Sequence, residues 1–500
     1  MIAVNPYEME IIQAIIKKHT PNCDVLAFGS RYKWTHEDAS DLDLVLVGKE
    51  KLDFGIIWGM KEDFMESDIP YKVDVSDYYG VSEAFRAIID RGNERIYKGR
   101  VGLKSEWKLV RAADFIDFNP RESIPKGKMA KKVAMERLQP FCRDIPSYEI
   151  APFNGGTKFR NGDTIMARIT PCLENGKTAQ VNILEGDEVG FGSTEFIVLR
   201  EIQGISDKDY IYYLAISPIL REKAIKSMVG SSGRQRVQQG VVNDIEFFAP
   251  PFSEQVEIGR ILGVLDDKIA NNTKINHCLE QIAQAVFKSW FVDFEPFGGE
   301  MPDDWQCCTI NNISADIVCG KTPSTKVHDN FGDDIPFITI PDMHGKVYVT
   351  STERSLSQKG ANTQTGKTIP PNSICVSCIA TAGLVSLTSV PSQTNQQINT
   401  IVCKDGISPY FVYLEMVRIS EHIKMLGSSG SATNNLNKRQ FSKIEVSIPK
   451  NNIMMEFAIA VEPLFETLKH NQQENAHLAA LRDTLLPRLM AGEISIAEVV

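Results

Sequence analysis

Apolar residues recur at helical spacing in two long segments of the chain. One segment reads LDDKIANNTKINHCLEQIAQAVFKSWF from Leu265, the other reads LFETLKHNQQENAHLAALRDTLLPRLM from Leu464, and the two align without a gap, 199 residues apart. In each segment the apolar residues form a stripe along one side of a helix: Leu265, Ile275, Leu279, Ile282 and Val286 in the first, and Leu464, Leu478, Leu481 and Leu485 in the second. The pattern predicts two long helices whose apolar stripes can pair along their length.

An asparagine stands at equivalent places in the two stripes, Asn272 in the first and Asn471 in the second. A polar residue buried between paired helices fixes their register at a cost in stability. Two exposed asparagines with no such role are the alternative. If the two residues face each other, replacing both with leucine should raise the melting temperature and loosen the register.

The repeat extends upstream of both helices. MVGSSGRQRVQQGVVNDIEFFAPP from Met228 corresponds to MLGSSGSATNNLNKRQFSKIEVSIP from Met425, so that each helix follows a Gly-Ser loop, a strand and a proline. Before the first helix, turns at Gly155-Gly156, Asn161-Gly162 and Asn175-Gly176 separate short apolar runs that are typical of β-strands. A globular block followed by a long helix is therefore the unit of organisation, and it is used twice.

The first hundred residues have a different pattern. An apolar strand from Val25 to Phe28 leads into a Gly29-Ser30 turn, and a second strand runs from Leu42 to Val47. Asp41 and Asp43, two residues apart on a strand, point the same way. Asp74 lies in YKVDVSDYY, which can form a neighbouring strand. Three clustered carboxylates need a cation between them, and Mg²⁺ would also bind the phosphates of a nucleotide beside the backbone amides of the Gly-Ser turn.

This arrangement of Gly-Ser followed by Asp-x-Asp resembles the minimal nucleotidyltransferases of the polymerase beta superfamily, over about residues 8–100. The resemblance implies nucleotide binding at Gly29 and Ser30, and catalytic and metal-binding roles for Asp41, Asp43 and Asp74, with Mg²⁺ and a nucleoside triphosphate as cofactor and substrate. Trp34 departs from the small residue that many relatives have in this loop. A turn beside a solvated strand end is the alternative interpretation.

From about residue 105 to residue 500, the run GGTKFRNGDTIMARITPCLENGKTAQV, the segment GFGSTEFIVLR and the helix opening PPFSEQVEIGRIL resemble the specificity subunit of type I restriction-modification systems. The resemblance implies that two target-recognition domains alternate with two long helices, and that each domain reads one half of a split DNA sequence. It also implies partners: adenine methyltransferase subunits, two copies of them, and ATP-dependent endonuclease subunits that also translocate DNA.

We therefore predict an α/β multidomain protein. Its parts are a nucleotidyltransferase-like α/β domain at residues 1–103, two α/β target-recognition domains at 105–251 and 301–450, and two long antiparallel spacer helices, a coiled coil, at 252–297 and 451–492. Because the sequences of the two recognition domains have diverged, the DNA site is expected to be asymmetric.

Candidate DNA-binding residues are cationic, hydroxyl or amide side chains near the turns and the two Gly-Ser loops. Arginine and glutamine pair with base edges, and small loops approach phosphates. The candidates in the first domain are Lys158, Arg160, Arg168, Ser231, Ser232, Arg234, Gln235 and Arg236, and those in the second are Ser428, Ser429, Lys438 and Arg439. A solvated loop with surface ion pairs is the alternative for each.

Composition restricts the function further. With 54 Lys and Arg against 64 Asp and Glu, the net charge is −10, so DNA contact must be confined to local basic patches. The ten cysteines lack zinc-ligand spacing, and the absence of an apolar leader or membrane-length run predicts a cytoplasmic protein. No P-loop or methyltransferase tetrapeptide is found, so cleavage and methylation would belong to partners.

Two other functions remain open. The N-terminal domain could transfer AMP to a partner protein, as antitoxin members of the nucleotidyltransferase family do, while the DNA-reading part localises it. Alternatively, that domain is an inactive docking module.

Overall fold

The computed structural model describes residues 2–21, 23–35, 40–48, 51–97, 107–231, 233–428 and 436–499. Contacts divide the chain into two compact units, one made of residues 1–264 and 482–500 and the other of residues 265–481. Each unit is described separately below.

The first unit begins with the N-terminal α/β domain. Its elements are α1 Pro6–His19, β1 Asp24–Phe28, α2 Ser30–Lys33, β2 Leu42–Val47, α3 Phe54–Met65, β3 Val73–Asp77, α4 Glu83–Arg91 and β4 Glu94–Tyr97, with the sheet in the order β3-β2-β1-β4. The asparagine Asn5 caps α1 through a capping box with Glu8. Ile12 and Ile16 of this helix are fully buried with Val25 and Leu44 of the sheet. The strands predicted around Val25 and Leu42 are confirmed.

The first unit continues with an α/β domain of short strands and helices. Its elements are β5 Lys108–Arg111, α5 Ala112–Phe115, β6 Ile116–Phe118, β7 Met129–Val133, β8 Glu149–Pro152, β9 Thr157–Phe159, β10 Thr164–Ala167, β11 Thr178–Gln180, β12 Gly190–Gly192, β13 Phe196–Glu201, α6 Lys208–Ile216, α7 Pro218–Lys226, α8 Gln239–Asn243 and β14 Glu246–Ala249. Two four-stranded sheets, β11-β10-β13-β6 and β8-β7-β12-β9, form its framework, and β5 pairs with β14.

Both long helices contribute to the core of this first α/β domain. The long helices are α9 Phe252–Phe291 and α16 Asn451–Met490. Ile258 and Leu262 from the start of α9, and Leu486 and Leu489 from the end of α16, are buried together with Tyr210. The domain is therefore completed by residues that lie more than 200 positions further along the chain.

The second unit contains the other α/β domain. Its elements are β15 Gln306–Thr309, α10 Ile310–Ile313, β16 Ser314–Cys319, β17 Phe331–Gly332, β18 Ile335–Ile338, α11 Ile340–Met343, β19 Tyr348–Val349, β20 Ser355–Leu356, α12 Gln358–Asn362, β21 Ile374–Ser377, β22 Val385–Thr388, β23 Gln393–Thr394, β24 Ile398–Cys403, α13 Pro409–Arg418, α14 Ser420–Ser428, α15 Lys438–Phe441 and β25 Glu445–Ile448. A sheet in the order β16-β24-β21-β22-β19 is its centre.

The core of this second α/β domain also includes both long helices. Phe287 of α9 and Phe457 of α16 have ring centroids 6.0 Å apart. Phe411 of α13 packs 5.5 Å from Phe287. Aromatic contacts of this kind bury large apolar areas and stabilise a core strongly, so the helices are an integral part of the domain fold.

The predicted apolar stripes are only partly confirmed. Leu279, Val286 and Leu464 pack against the core of the second unit, but Ile275, Ile282 and Leu481 are 39%, 49% and 48% exposed. The middle of the helix pair is polar instead, with Asn272, Asn276 and Asn471 buried. A helical repeat of 3.6 residues drifts relative to a strict step of seven, so the interface leaves the predicted stripe within a few turns.

Candidate functional sites

The acidic cluster of the N-terminal domain lies where β2 and β3 run parallel. Asp43 is paired in register with Asp74, and Asp41 stands just before β2. Burial, and after it the charges of Asp74 and Asp41, raises the pKa of Asp43 above its ordinary value. The predicted proximity of Asp43 and Asp74 is therefore confirmed by their pairing on adjacent strands.

Gly29 lies directly against this cluster. Its φ is +82°, and a Cβ atom at this position would lie 2.2 Å from Oδ2 of Asp43. A side chain would therefore both strain the backbone and clash with the carboxylate. Ser30 begins α2, and Trp34 ends it in the left-handed region with 65% of its surface exposed.

Two lysine side chains lie close to the carboxylates of Asp74 and Asp41. Lys61 Nζ lies 2.9 Å from Asp74 Oδ1, and Lys72 Nζ lies 3.6 Å from Asp41 Oδ2. In the part of the chain that the structure describes, no group of three or more acidic, histidine or cysteine side chains is placed to hold one metal ion. Carboxylate oxygens suit Mg²⁺, but this arrangement does not gather the three predicted ligands around one point, and we derive no catalytic step from it.

The first Gly-Ser loop is a short hairpin closed by backbone hydrogen bonds. The amides of Val229 and Arg236 donate to each other's carbonyl oxygens at 3.0 and 2.9 Å. Gly230 and Gly233 both have positive φ, +139° and +79°, which allows the chain to reverse. Ser231 and Arg234 are exposed at the tip, whereas the candidate Ser232 lies outside the described residues. The tip is open to a partner in solution.

Arg236 is held at the base of this hairpin by Glu195. Its Nε lies 3.0 Å from Oε2 and its Nη2 lies 2.7 Å from Oε1. The hydrogen bond from Arg236 lowers the pKa of Glu195, so the carboxylate stays charged at neutral pH. Arg168 donates its backbone amide to the carbonyl oxygen of Glu195 at 2.9 Å.

The other two cationic candidates of the first domain are already engaged within the domain. Arg160 Nε lies 2.6 Å from Glu122 Oε1, and the ammonium group of Lys158 lies 5.4 Å from the ring centroid of Phe153. Glu122 also pairs with Arg200, at 2.8 Å. Arg160 therefore belongs to an internal charge network, and its DNA-binding role stays a prediction.

The second Gly-Ser loop does not begin where the sequence predicted. Gly427 and Ser428 are the last residues of helix α14 rather than part of a loop. Ser429 lies outside the described residues. Lys438 and Arg439 lie on the short helix α15, which Asn437 caps, and Lys438 is 3.7 Å from Asp316.

A polar layer joins the two helices within the second unit. Asn272 Nδ2 donates to Glu474 Oε2 at 2.6 Å and to Asn475 Oδ1 at 2.9 Å. Asn471 Nδ2 donates to Asn276 Oδ1 at 2.9 Å. The two predicted asparagines are thus buried, as one of the two interpretations required, but each pairs with another residue. The pairings fit only antiparallel helices, because higher numbers on one helix meet lower numbers on the other.

Sequence reasoning missed the acidic residues that organise the first domain, Glu195 and Glu122. Glu195 is 41 positions from Arg236 and Glu122 is 78 positions from Arg200. Acidic residues so far from their partners leave no local pattern in the sequence.

None of the helices in the described ranges is both long enough and apolar enough to cross a membrane.

Comparison with known proteins finds the same specificity domain twice in this chain. The family model described as type I restriction modification DNA specificity domain matches residues 104–281 and 302–480. The type I restriction enzyme HindI specificity subunit of Haemophilus influenzae is 36% identical over 421 residues, which cover 70% of this chain and 90% of that protein. The crystal structure of the type I restriction-modification S subunit from M. genitalium covers 78% of this chain at 16% identity, with a TM-score of 0.49.

The N-terminal domain has relatives of its own. The family model described as polymerase beta, nucleotidyltransferase matches residues 10–100. The probable protein adenylyltransferase MntA of Haemophilus influenzae is 44% identical over 82 residues, which cover 16% of this chain and 72% of that protein. With a duplicated specificity domain after residue 104, the chain belongs to the family of type I restriction-modification specificity subunits and carries a nucleotidyltransferase-like domain at its N-terminus.

Proposed function

We propose that this chain reads a split, asymmetric DNA sequence and directs an adenine methyltransferase and an ATP-dependent endonuclease to it. The observation that carries the proposal is the duplication. Two α/β domains, each completed by segments of the same two helices, present different side chains at equivalent loops. Two related but unlike reading surfaces on one chain suit two unlike half-sites.

The chemistry of the first hairpin supports direct contact with DNA. Ser231 and Arg234 are exposed in this hairpin and Gln235 is half-buried, and arginine and glutamine are the side chains that pair bidentately with guanine and adenine. The second domain offers Lys438 and Arg439 beside its own loop. The net charge of the chain is −10, so contact with DNA would be limited to local groups of cationic residues such as these. In such an interface, phosphate contacts position the protein and a few base contacts specify the sequence.

The exposed apolar residues of the helix pair support partner binding. Ile275 and Ile282 are seven residues apart on α9 and half-exposed, and Leu481 of α16 is equally exposed. Apolar residues repeated on one side of an exposed helix mark protein interaction surfaces. We assign contact with the methyltransferase subunits, of which we propose two copies, to these exposed residues.

A genome-wide map of modified adenines, made in cells with and without the gene, tests this function. We expect methylation at a split, asymmetric motif in the parent strain, complete loss in the deletion strain, and recovery when the gene is restored. A chain with Asp41→Ala and Asp43→Ala is the matched control and should restore the same motif, because the N-terminal acids lie outside the duplicated domains. An unchanged map after deletion would contradict the proposal.

A second function is proposed for the N-terminal domain alone: transfer of a nucleotide, AMP in the first instance, to a partner protein. The register pairing of Asp43 with Asp74 beside the tightly packed Gly29 supports it. Binding of a Mg²⁺-nucleotide would require Lys61 and Lys72 to leave the carboxylates.

Calorimetry with Mg²⁺ and ATP tests this second function. The full chain should bind with measurable heat, and the Asp41→Ala, Asp43→Ala double variant should lose binding because the charge that attracts the metal is removed. Asp90→Ala is the control, because Asp90 is exposed and bonds only to Tyr78 within the described residues. Absence of binding to the unaltered chain would favour an inactive docking module.

A further inference from the structure

The two α/β domains have the same pattern of backbone hydrogen bonds beside their Gly-Ser loops, here called the backbone frame. This pattern identifies equivalent residues in the two domains. After β10, the amide of Arg168 donates to the carbonyl of Glu195 at 2.9 Å, and its own carbonyl accepts from Val237 at 2.9 Å. After β21, the amide of Cys378 donates to the carbonyl of Gln397 at 2.8 Å, and its carbonyl accepts from Leu436 at 2.9 Å. Val237 and Leu436 are 199 residues apart, the spacing of the helical repeat. Arg168 thus corresponds to Cys378, and Glu195 corresponds to Gln397.

The side chains at these equivalent positions differ in charge. In the first domain, Glu195 accepts two hydrogen bonds from Arg236. In the second, Gln397 accepts instead from Asn395 Nδ2 at 2.9 Å, and Cys378 is buried with its thiol near the carbonyl of Val376. In the first domain, therefore, a charged residue at this position binds the hairpin, whereas the equivalent residue of the second domain is neutral and pairs with Asn395.

The anchor in the first domain fixes the hairpin at its base. Thr170 donates its amide to the carbonyl of Gln235 at 3.0 Å, and Arg234 donates to Ser231 at 3.0 Å. The carboxylate of Glu195 occupies two donor nitrogens of Arg236, so this guanidinium is committed to the protein. Arg234 is exposed, and within the described residues no carboxylate forms an ion pair with it. The hairpin thus has one arginine that anchors and one that is available to a ligand.

Resting on the proposed function, we propose that Glu195 is a positioning residue for the first half-site. It holds Arg236, and through Arg236 it holds the tip of the hairpin in the orientation in which Arg234 contacts DNA. The second domain reads its half-site without a charged anchor, because Gln397 stands at the equivalent position. Loss of the anchor should therefore relax recognition of one half-site and leave the other unchanged.

The substitution Glu195→Gln tests this proposal, because it gives the first domain the residue of the second. It is made in the full chain and expressed with the partner subunits, and modified adenines are mapped against the parent motif. We expect at least about tenfold more methylation at sites with a mismatch in one half-site, the size of one lost base contact, and no relaxation in the other half. Arg236→Lys, which keeps the charge but not the bidentate geometry, should relax the same half.

Two further variants make the outcome decisive. Asp114 in the same domain also accepts two hydrogen bonds from an arginine, Arg111. The substitution Asp114→Asn is therefore the control and should leave recognition of both half-sites unchanged. Exchanging the charges with Glu195→Arg and Arg236→Glu together should restore discrimination that each single change removes. A parent motif retained in full by Glu195→Gln, or an equal loss at both half-sites, would overturn the positioning role. A parent strain without any split motif would instead contradict the proposed function itself.

Discussion

Replacing Arg200 with alanine is expected to lower the free energy of unfolding of the first α/β domain by about 3–5 kcal/mol, the cost of breaking a buried ion pair. Arg200 on β13 bonds Asp163 through Nε at 2.6 Å and through Nη2 at 2.7 Å. Asp163 is only 2% exposed. Without the guanidinium, that carboxylate would stay buried with its charge uncompensated.

Glu122 extends the same network and adds a pH dependence. Burial acts to raise the pKa of Glu122, but its hydrogen bonds with Arg160 and Arg200 outweigh burial and lower it. A lowered pKa in the folded state means that the stabilisation is present above the pKa of the unfolded chain, about 4.3, and is lost as the pH falls below that value. The parent protein should therefore lose part of the stability of this domain in mild acid, and Arg200→Ala should lose less on acidification.

Hydrogen exchange of peptides from residues 107–251 in the full chain measures the Arg200 effect, because a multidomain protein does not unfold in a single two-state step. Arg111→Ala is the control, since its partner Asp114 is 64% exposed. Pairs of this kind contribute about 1 kcal/mol or less. Equal effects of the two substitutions would show that the Arg200 network does not stabilise the domain.

The second large effect is expected from replacing both Asn272 and Asn471 with leucine. The sequence alone predicted a higher melting temperature, on the assumption that the two asparagines face each other. In the structure Asn272 donates to Glu474 and Asn475, and Asn471 donates to Asn276. The double substitution would leave the side-chain oxygens of the buried Asn276 and the half-buried Asn475 without these hydrogen bonds, while Asn475 keeps its donor contacts with Ile269 and Thr273. Each unsatisfied polar group costs about 1–3 kcal/mol, so we now expect the second unit to be destabilised by a few kcal/mol.

A fourfold variant provides the matched control for this prediction. Replacing Asn276 and Asn475 with leucine as well removes the two residues that would otherwise lack hydrogen-bond partners. The stability of the second unit should then recover to near the parent value or above it. Thermal unfolding of the full chain, with hydrogen exchange of peptides from α9 and α16, measures both variants. A double variant that is more stable than the parent would contradict the observed pairing.

The chain's periodicity and repeats predicted the fold class without any structure. The positions of Val25 and Leu42 on strands and the two long helices follow from local patterns. The juxtaposition of Asp43 with Asp74 was expected from two such strands lying side by side, and the antiparallel arrangement of the helices was predicted together with the family resemblance. Alternation of apolar residues and glycine turns are local signals, because each depends on a few neighbouring residues. The family resemblance added the duplicated recognition domains, which the comparisons then confirmed.

The sequence identified cationic residues that could bind DNA. It did not show which of them form ion pairs inside the protein instead. Arg236 and Arg234 are two residues apart in one loop, yet Arg236 is bound to Glu195, whereas no carboxylate among the described residues forms an ion pair with Arg234. The predicted start of the second Gly-Ser loop at Gly427 was wrong, because helix α14 continues to Ser428. Whether a charge is used inside the protein or presented to a ligand depends on its neighbours in space.

The sequence by itself determined that this protein has an N-terminal nucleotidyltransferase-like domain and a duplicated block with a long helix in each copy. The duplicated block follows from short-range periodicity and from a repeat at fixed spacing, whereas the N-terminal assignment follows from the resemblance of its Gly-Ser and Asp-x-Asp motifs to a known family. Only the tertiary structure decided that Asn272 meets Asn475, that Glu195 holds Arg236 and that Ile275 is exposed. Such pairings join residues tens to hundreds of positions apart, and they depend on helix register and on the path of the loops. Sequences with the same local pattern can differ in both, so the local pattern does not determine these contacts.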